Sequence, residues 1–320
     1  MKSIVSQVLV LGTCMAGVSG VFGFQESDTY GEEFDLYTKA EQETDQAKRR
    51  TILLEFVQTY QKSEVDPNVA YLYAQSYEGY RRGGQWQSMA NAAERYLRHR
   101  PDDVSSIQAA TEAYQKLGNP QKLVAFGAKL YEQSASANTA YFVAKAYLSF
   151  NDHANFQTWG KRTLRHDRNN VQVAVDLANS YWTVGNLPEA ATYAKRGLES
   201  ISRAKADPNT AAQMDQIRAF CYRAVGEAAH STNNRTAALQ NFEKSLEYDP
   251  KNDFAHYRLG YIHWAGGKVG PAMLSFAKSF VLNGPSSKDA RTQLNQLHRQ
   301  QGGRAGQISV IIRQARAAVK

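Results

Sequence analysis

Two histidines toward the C-terminal end are the first candidates for chemistry, because imidazole is a common metal ligand. His256 and His263 lie seven positions apart, which places both on one helix face but separates the rings by two turns. No Glu or Asp stands between them in the H-E-x-x-H arrangement of zinc proteases. The spacing therefore predicts no metal site, and we expect both histidines to be packing residues.

A glycine-rich stretch and a cysteine are the other candidates. The segment "WAGGKVG" (264–270) resembles a phosphate-binding loop, but Ser or Thr is missing after Lys268. We expect its glycines to form a turn between two helices instead. Cys221 has no flanking catalytic signature and is expected to be a small buried residue on a helix. No G-x-S-x-G or paired C-x-x-C spacing occurs, so the sequence predicts a non-enzyme without a cofactor.

Composition is typical of a folded, helical chain. The chain has 320 residues, of which 42% are hydrophobic and 21% charged, with a formal net charge of +8. Its Ala, Gln, Leu, Lys and Arg content favours helix. Much of the positive charge lies near the C-terminal end. This segment contains one acid, Asp289, and seven bases: Lys288, Arg291, Arg299, Arg304, Arg313, Arg316 and Lys320.

The first 23 positions have the features of a secretory signal peptide. Lys2 precedes an uncharged, mostly apolar run over residues 4–22, and small residues precede a predicted cleavage after Gly23. An uncleaved anchor and lipidation at Cys14 remain alternatives, although Thr13 is an unusual neighbour for a lipidated cysteine. We therefore expect export to the periplasm or the secreted space, leaving a mature chain whose single Cys221 excludes an intramolecular disulfide.

The middle of the chain repeats itself with a period of about 34 residues, the length of a helix–turn–helix repeat unit. The stretches "TWGKRTL" (158–164) and "TYAKRGL" (192–198) match in register, and so do the helical patterns that precede them. Each unit is an apolar-periodic helix, a turn rich in Gly, Asn and Asp, and a second helix. Such a hairpin cannot bury both faces alone and must stack on copies of itself. The Lys-Arg pairs at 161–162 and 195–196 are expected to face water.

Further copies follow in the same register, with one interruption. Gly226 and Gly260 are one period apart, as are Ala238 and Ala272. Between positions 198 and 219 the register slips, because the chain carries an insertion there. The inserted sequence is rich in helix formers, so it is expected to lengthen two helices, with Asp207 and Pro208 as a helix-start signal.

These units resemble tetratricopeptide repeats. The resemblance rests on Leu259, Gly260, Ala272 and Phe276 in the best copy, and on similar residues in about six units from 67 to 285. It implies an all-α fold, a right-handed α-solenoid of stacked helix-turn-helix repeats. The expected organisation is a signal peptide (1–23), a degenerate helical pair (24–66), repeats (67–202), repeats after an extended helix (203–285), and a capping helix with a basic tail (286–320).

In this family the first helices of the hairpins line a concave face that binds a peptide or a helix. The resemblance therefore implies a non-catalytic scaffold for a protein or peptide partner. The side chains expected on this face are Tyr71, Gln75, Glu78, Gln108, Tyr141, Lys145, Asn179, Trp182, Arg223, Tyr257, Tyr261 and Trp264. Each aromatic among them could instead pack between helices. The Lys and Asn set with which some family members clamp a C-terminal carboxylate is not reproduced.

The basic C-terminal end supports a second hypothesis. Residues 286–301 are expected to cap the last repeat. Residues 306–320 could form a short amphipathic helix that contacts either the fold, an acidic partner or an anionic membrane surface. A peripheral membrane-associated assembly component is therefore the alternative function. Nucleic acid is not an expected partner, because basic and aromatic residues are not interleaved in a recognition motif.

Overall fold

The computed structural model describes residues 27–203, 209–303 and 306–319, with side chains from residue 31 onward in the first helix. Within these ranges the chain forms helices joined by turns, without any strand, which confirms the all-α prediction. The residues of the predicted signal peptide, including Cys14, lie outside the described residues, as do the predicted start signal Asp207-Pro208, Arg304 and Lys320. The helices are α1 Ser27–Gln42, α2 Gln46–Thr59, α3 Asp66–Arg82, α4 Trp86–Leu97, α5 Val104–Leu117, α6 Pro120–Gln133, α7 Ala137–Leu148, α8 His153–His166, α9 Val171–Thr183, α10 Leu187–Arg203, α11 Ala211–Ser231, α12 Arg235–Tyr248, α13 Asp253–Ala265, α14 Val269–Leu282, α15 Ser287–Gln300 and α16 Gln307–Ala318.

The described residues form two compact units. The first contains residues up to Gly79 together with Arg98–Arg100, and the second contains Tyr80–Leu97 and the residues from Pro101 onward. In the first unit, α1 and α2 form a helical pair, and Leu53 and Phe56 are fully buried. The Arg100 guanidinium connects two parts of this unit: it pairs with the Asp66 carboxylate at 2.7 Å and donates to the Tyr60 carbonyl at 2.6 Å.

In the second unit, successive helices from α4 to α14 pack each against the next. We call α5, α7, α9, α11 and α13 the first helices and α6, α8, α10, α12 and α14 the second helices. Several helices begin at an Asn whose side-chain oxygen accepts the N–H three positions ahead, which satisfies an otherwise unpaired donor. These N-caps are Asn119, Asn170, Asn234 and Asn252, with distances of 3.1, 3.1, 3.1 and 3.0 Å.

The turns inside the hairpins explain part of the 34-residue pattern in the sequence. Asn151 and Gly185 are one period apart, as are Asn233 and Gly267, and all four have positive φ angles between 57° and 76°. Gly adopts this left-handed conformation readily, and Asn adopts it at a lower cost than other residues do. Gly267 belongs to "WAGGKVG", which forms the turn between α13 and α14 as expected.

A glycine facing a phenylalanine recurs in the last two hairpins. A Cβ on Gly260 would lie 2.5 Å from Cε1 of Phe276, and one on Gly226 would lie 3.2 Å from the Phe242 ring. Both phenylalanines are fully buried. The glycines thus let the first helix approach the second closely enough for the ring to fill the space between them.

The two arginines of the repeated Lys-Arg pairs are not simply solvated, which corrects the sequence-based expectation. The guanidinium carbon of Arg162 lies 4.2 Å from the ring centroid of Trp159. Arg196 donates to the backbone carbonyls of Leu164 and Arg168, at 3.4 and 3.2 Å, near the end of α8. Arginine can do both because its flat guanidinium stacks on rings and has several donors.

The insertion lengthens the helices on either side of it. The second helix α10 has 17 residues and the first helix α11 has 21, compared with 14 in α8 and 13 in α9. The extra length comes from residues that favour helix rather than from an added loop in the described part of the chain.

The C-terminal helices cover the last hairpin. Helices α15 and α16 both pack on α14, where Leu294, Leu297 and Ala315 are almost fully buried. Ile308, Ile311 and Ile312 of α16 are partly buried on the same core cluster. Much of the apolar side of α16 is therefore used in packing. Within the described residues, none of the helices combines the length and apolar character that crossing a membrane requires.

Candidate peptide-binding surface

Three of the predicted binding residues lie in the first unit, on α3. Tyr71, Gln75 and Glu78 are all exposed, and 68% of the Tyr71 surface is accessible. Their spacing of four and three positions places them on one face of the helix. An exposed tyrosine on such a face suits a contact with another protein.

The other nine predicted residues lie on the first helices of the second unit. We call this set the first-helix surface. Gln108 is on α5, Tyr141 and Lys145 on α7, Asn179 and Trp182 on α9, Arg223 on α11, and Tyr257, Tyr261 and Trp264 on α13. All nine are exposed or partly exposed.

Hydrogen-bonded polar side chains join α7 to α9. The Tyr141 hydroxyl donates to Oδ2 of Asp176 at 2.8 Å, and the Lys145 ammonium lies 3.6 Å from the same oxygen. Gln172 donates to the other carboxylate oxygen at 2.8 Å. Burial and the nearby Asp176 carboxylate raise the pKa of Tyr141. Sequence reasoning missed Asp176, because it lies on the next repeat, one position beyond the equivalent of Tyr141.

Tyr141 and Lys145 also line a cleft of about 380 Å³. The opposite wall comes from the end of α5 and the start of α6, including Tyr114 and Leu123. The Tyr114 hydroxyl donates to Glu94 at 2.7 Å, so this ring is fixed in place. The cleft offers apolar walls with a cation at one side, which suits a peptide side chain.

Trp182 and Arg223 are brought together with two phenylalanines. The Trp182 ring centroid lies 6.5 Å from that of Phe220 on α11 and 5.9 Å from that of Phe254 on α13. The Arg223 guanidinium carbon lies 5.5 Å from the Trp182 and Phe220 centroids and 5.8 Å from that of Phe254. This cluster joins three consecutive first helices. Phe220 and Phe254 were not among the predicted residues.

The aromatic residues of α13 serve packing as well as the surface. Tyr257 and Tyr261 approach the buried Phe276 ring with centroid distances of 5.9 and 5.2 Å. Their hydroxyls lie 3.1 Å apart, and Trp264 stacks on Tyr261 at 6.2 Å. Burial, followed by the Tyr261 hydrogen bond, raises the pKa of Tyr257. These rings therefore present one edge to solvent and use the other to hold α14.

His256 and Cys221, two of the residues considered for chemistry, are buried. The Nε2 atom of His256 lies 3.1 Å from the Pro250 carbonyl oxygen, and burial lowers the pKa of this histidine to about 4. Cys221 is fully buried, which raises its thiol pKa to about 12. Within residues 27–203, 209–303 and 306–319, no three metal-ligating side chains come together.

Comparison with known proteins supports the repeat assignment in one part of the chain. Residues 222–252, from late α11 through α12, match the family model described as tetratricopeptide repeat. This stretch contains Gly226, Ala238 and Phe242, three residues on which the sequence resemblance depends. No curated protein matches the sequence.

Solved structures resemble the fold at low sequence identity. A crystal structure of MamA protein is 17% identical, with 57% of this chain and 92% of that chain covered and a TM-score of 0.43. YrrB, described as a TPR protein with an unusual peptide-binding site, is 12% identical, with coverages of 60% and 92% and a TM-score of 0.45. A tetratricopeptide repeat protein from Parabacteroides merdae is 13% identical, with coverages of 84% and 98% and a TM-score of 0.36. At these scores the similarities carry no argument about function.

Proposed function

We propose that this protein is a non-catalytic scaffold that holds a peptide or a helix of a partner protein on its first-helix surface. Stacked helical hairpins commonly mediate protein–protein interaction. The observation that carries the proposal is the continuity of this surface: Tyr141 contacts Asp176 across α7 and α9, and Trp182 contacts Phe254 across α9 and α13. Aromatic rings with polar tips and an arginine are the residue types enriched at interfaces.

Tryptophan substitutions test this proposal. In affinity capture from cell-envelope extract, Trp182→Ala and Trp264→Ala are expected to reduce partner recovery at least about tenfold, as for an aromatic residue that dominates an interface. Trp86→Ala is the matched control, because Trp86 is also partly exposed but lies on α4, outside the first-helix surface. Circular dichroism should show that all three variants keep their helical content.

Undiminished capture by both Trp182→Ala and Trp264→Ala would contradict the proposed surface. An equal loss with Trp86→Ala would also contradict it, because a general loss of stability would then explain the result.

Export to the periplasm or the secreted space is part of the proposal and rests on the pattern of residues 1–23. The intact mass of the protein purified from the envelope fraction should correspond to a chain that begins at Phe24. Full-length protein confined to the cytosolic fraction would contradict export. A mass that includes a diacylglyceryl group would instead favour lipidation at Cys14.

A peripheral membrane role for the C-terminal tail is weaker than the scaffold proposal, because the isoleucines of α16 are partly buried on α14. The exposed Arg313 and Arg316 could still meet an anionic surface. Flotation with phosphatidylglycerol vesicles, comparing the natural chain with Arg313→Ser/Arg316→Ser, tests this role. Flotation that does not depend on these arginines excludes the tail as the membrane contact.

A further inference from the structure

Positive charge in the second unit is concentrated on three consecutive second helices. Together α6, α8 and α10 contain eight Lys or Arg residues and three Asp or Glu residues. The first helices α5, α7 and α9 contain two of each kind. Helix α8 contains Lys161, Arg162 and Arg165 but no acid. The second helices therefore have an excess of positive charge that the neighbouring first helices lack.

Three exposed cations define a basic face on α8 and α10. Lys161 and Arg165 are four positions apart on α8, and Lys195 occupies the position of Lys161 one repeat later, on α10. We call these three residues the Lys161 face. All three are exposed, and within the described residues none of them forms an ion pair with a carboxylate. The Lys161 ammonium lies 5.4 Å from the ring centroid of Tyr181 instead.

The acids around the Lys161 face do not cancel its charge. Residues 120–203, which run from α6 to α10, contain ten Lys or Arg residues and six acids. The six acids are Glu132, Asp152, Asp167, Asp176, Glu189 and Glu199. Asp152 accepts a hydrogen bond from the Asn155 side chain at 2.7 Å, and Glu199 pairs with Arg203 at 3.8 Å. The excess of bases remains when every acid of this part of the chain is counted.

The first unit has the opposite charge. Residues 27–79 and 98–100 contain eleven acids and seven Lys or Arg residues, whereas residues 80–97 and 101–320 contain 18 acids and 30 Lys or Arg residues. Helix α1 contributes five of these acids and a single base, Lys39. Its exposed acids are Glu32, Asp35 and Glu41. The sequence thus joins an acidic first unit to a basic second unit.

An exposed phenylalanine lies among the acids of α1. Half of the Phe34 surface is accessible, which is high for a large apolar side chain. On α8, the Arg162 guanidinium carbon lies 4.2 Å from the Trp159 ring centroid. A guanidinium that stacks on one ring has a second side on which another ring can stack. Helix α1 therefore complements α8 both in charge and in the type of side chain that it exposes.

We propose that helix α1 of one copy of this protein docks on the Lys161 face of a second copy. The two surfaces differ and each copy has one of each, so the contact is heterologous and extends from copy to copy. It uses no residue of the first-helix surface, which stays available for the partner. The inference thus goes beyond the proposed function and does not depend on it.

Sedimentation velocity tests the contact with the natural chain, purified from the envelope fraction. Exposed charge pairs are individually weak, so association is expected between roughly 10 µM and 1 mM protein. The sedimentation coefficient should rise with protein concentration at about 0.01 M NaCl. It should return to the monomer value at about 1 M NaCl, because the screening length falls from about 30 Å to about 3 Å.

Reversing either surface is expected to weaken association at least about tenfold, because like charges then face each other. The face variant is Lys161→Glu/Arg165→Glu/Lys195→Glu. The helix variant is Glu32→Lys/Asp35→Lys/Glu41→Lys. The matched control reverses three exposed bases outside the face: Lys288→Glu/Arg313→Glu/Arg316→Glu. The control has the same net charge as the face variant and should associate as the natural chain does.

An equimolar mixture of the face variant and the helix variant gives the sharpest result. Each variant alone has two surfaces of like charge, but in the mixture each reversed surface meets one of opposite charge. We expect the mixture to recover the association that both variants lose alone. Recovery also shows that both variants are folded.

Several results would overturn the inference. The natural chain stays monomeric at about 0.01 M NaCl, one of the two variants associates as the natural chain does, or the mixture fails to recover association. Binding to phosphatidylglycerol vesicles that only the face variant loses, without association between copies, would instead identify a membrane as the occupant. If copies do not associate but Trp182→Ala still abolishes partner capture, the scaffold function stands and the copy-to-copy contact is wrong.

Discussion

Phe276→Ala is expected to lower the free energy of unfolding by about 3–5 kcal/mol, the range for removing a fully buried phenylalanine side chain. The ring is fully buried between α13 and α14, where it meets the Gly260 backbone, Tyr257 and Tyr261. The cavity cannot collapse easily, because α15 and α16 cover α14 from another side. Urea unfolding measured by circular dichroism gives the change.

Phe150→Ala is the control for this prediction. Phe150 is 41% exposed at the α7–α8 hairpin turn, so its removal should change stability by less than about 0.5 kcal/mol. Hydrogen exchange should show that the loss in Phe276→Ala is concentrated in α13 to α16, because stacked repeats interact mainly with their neighbours. Equal losses in the two variants would contradict the packing described for the last hairpin.

Acidification is expected to destabilise the protein through His256. This side chain is only 6% exposed, and its pKa falls from an ordinary 6.5 to about 4, because burial outweighs the Pro250 hydrogen bond. The unfolded chain therefore takes up a proton at a higher pH than the folded chain. The contribution of the neutral His256 to the free energy of unfolding is fully present above pH 6.5 and declines as the pH falls toward 4. By pH 4.5 this group alone lowers the stability by about 2–3 kcal/mol.

His256→Gln should flatten this part of the pH profile, because an amide can donate to the Pro250 carbonyl without titrating. Burial also lowers the pKa values of His230 and His263, so both act in the same direction on acidification. His263→Gln is therefore the control and should flatten the profile less. An unchanged pH dependence in His256→Gln would contradict the neutral, buried state of this histidine.

The repeat could be predicted because its period follows from local physical requirements. A left-handed turn needs Gly or Asn, as at Asn151 and Gly185, and a close helix approach needs Gly opposite Phe, as at Gly260 and Phe276. These requirements recur from one hairpin to the next and are visible in the sequence. The effect of the insertion before α11 could also be predicted, because a helix-forming composition can lengthen a helix without a new turn.

The binding surface could be predicted only as a set of positions. The register placed Tyr141, Trp182 and Arg223 on first helices, but it could not show which side chains meet across repeats. Asp176 completes the polar contact between α7 and α9, and Phe220 and Phe254 complete the cluster around Trp182 and Arg223. Each of the three lies on a first helix at a position that the family pattern does not single out. Arg162 and Arg196 were expected in water, because the sequence does not show that Arg162 stacks on the Trp159 ring or that Arg196 reaches a free carbonyl of α8.

The most direct measurement of the central claim is site-specific photocrosslinking to the partner. A benzoylphenylalanine is placed at Asn179, which is exposed on the first helix α9, and in a second variant at Thr158, which is exposed on the second helix α8. We expect a crosslink to the captured partner from position 179 and none from position 158. Crosslinking from position 158 alone would place the partner on the second helices and contradict the first-helix surface.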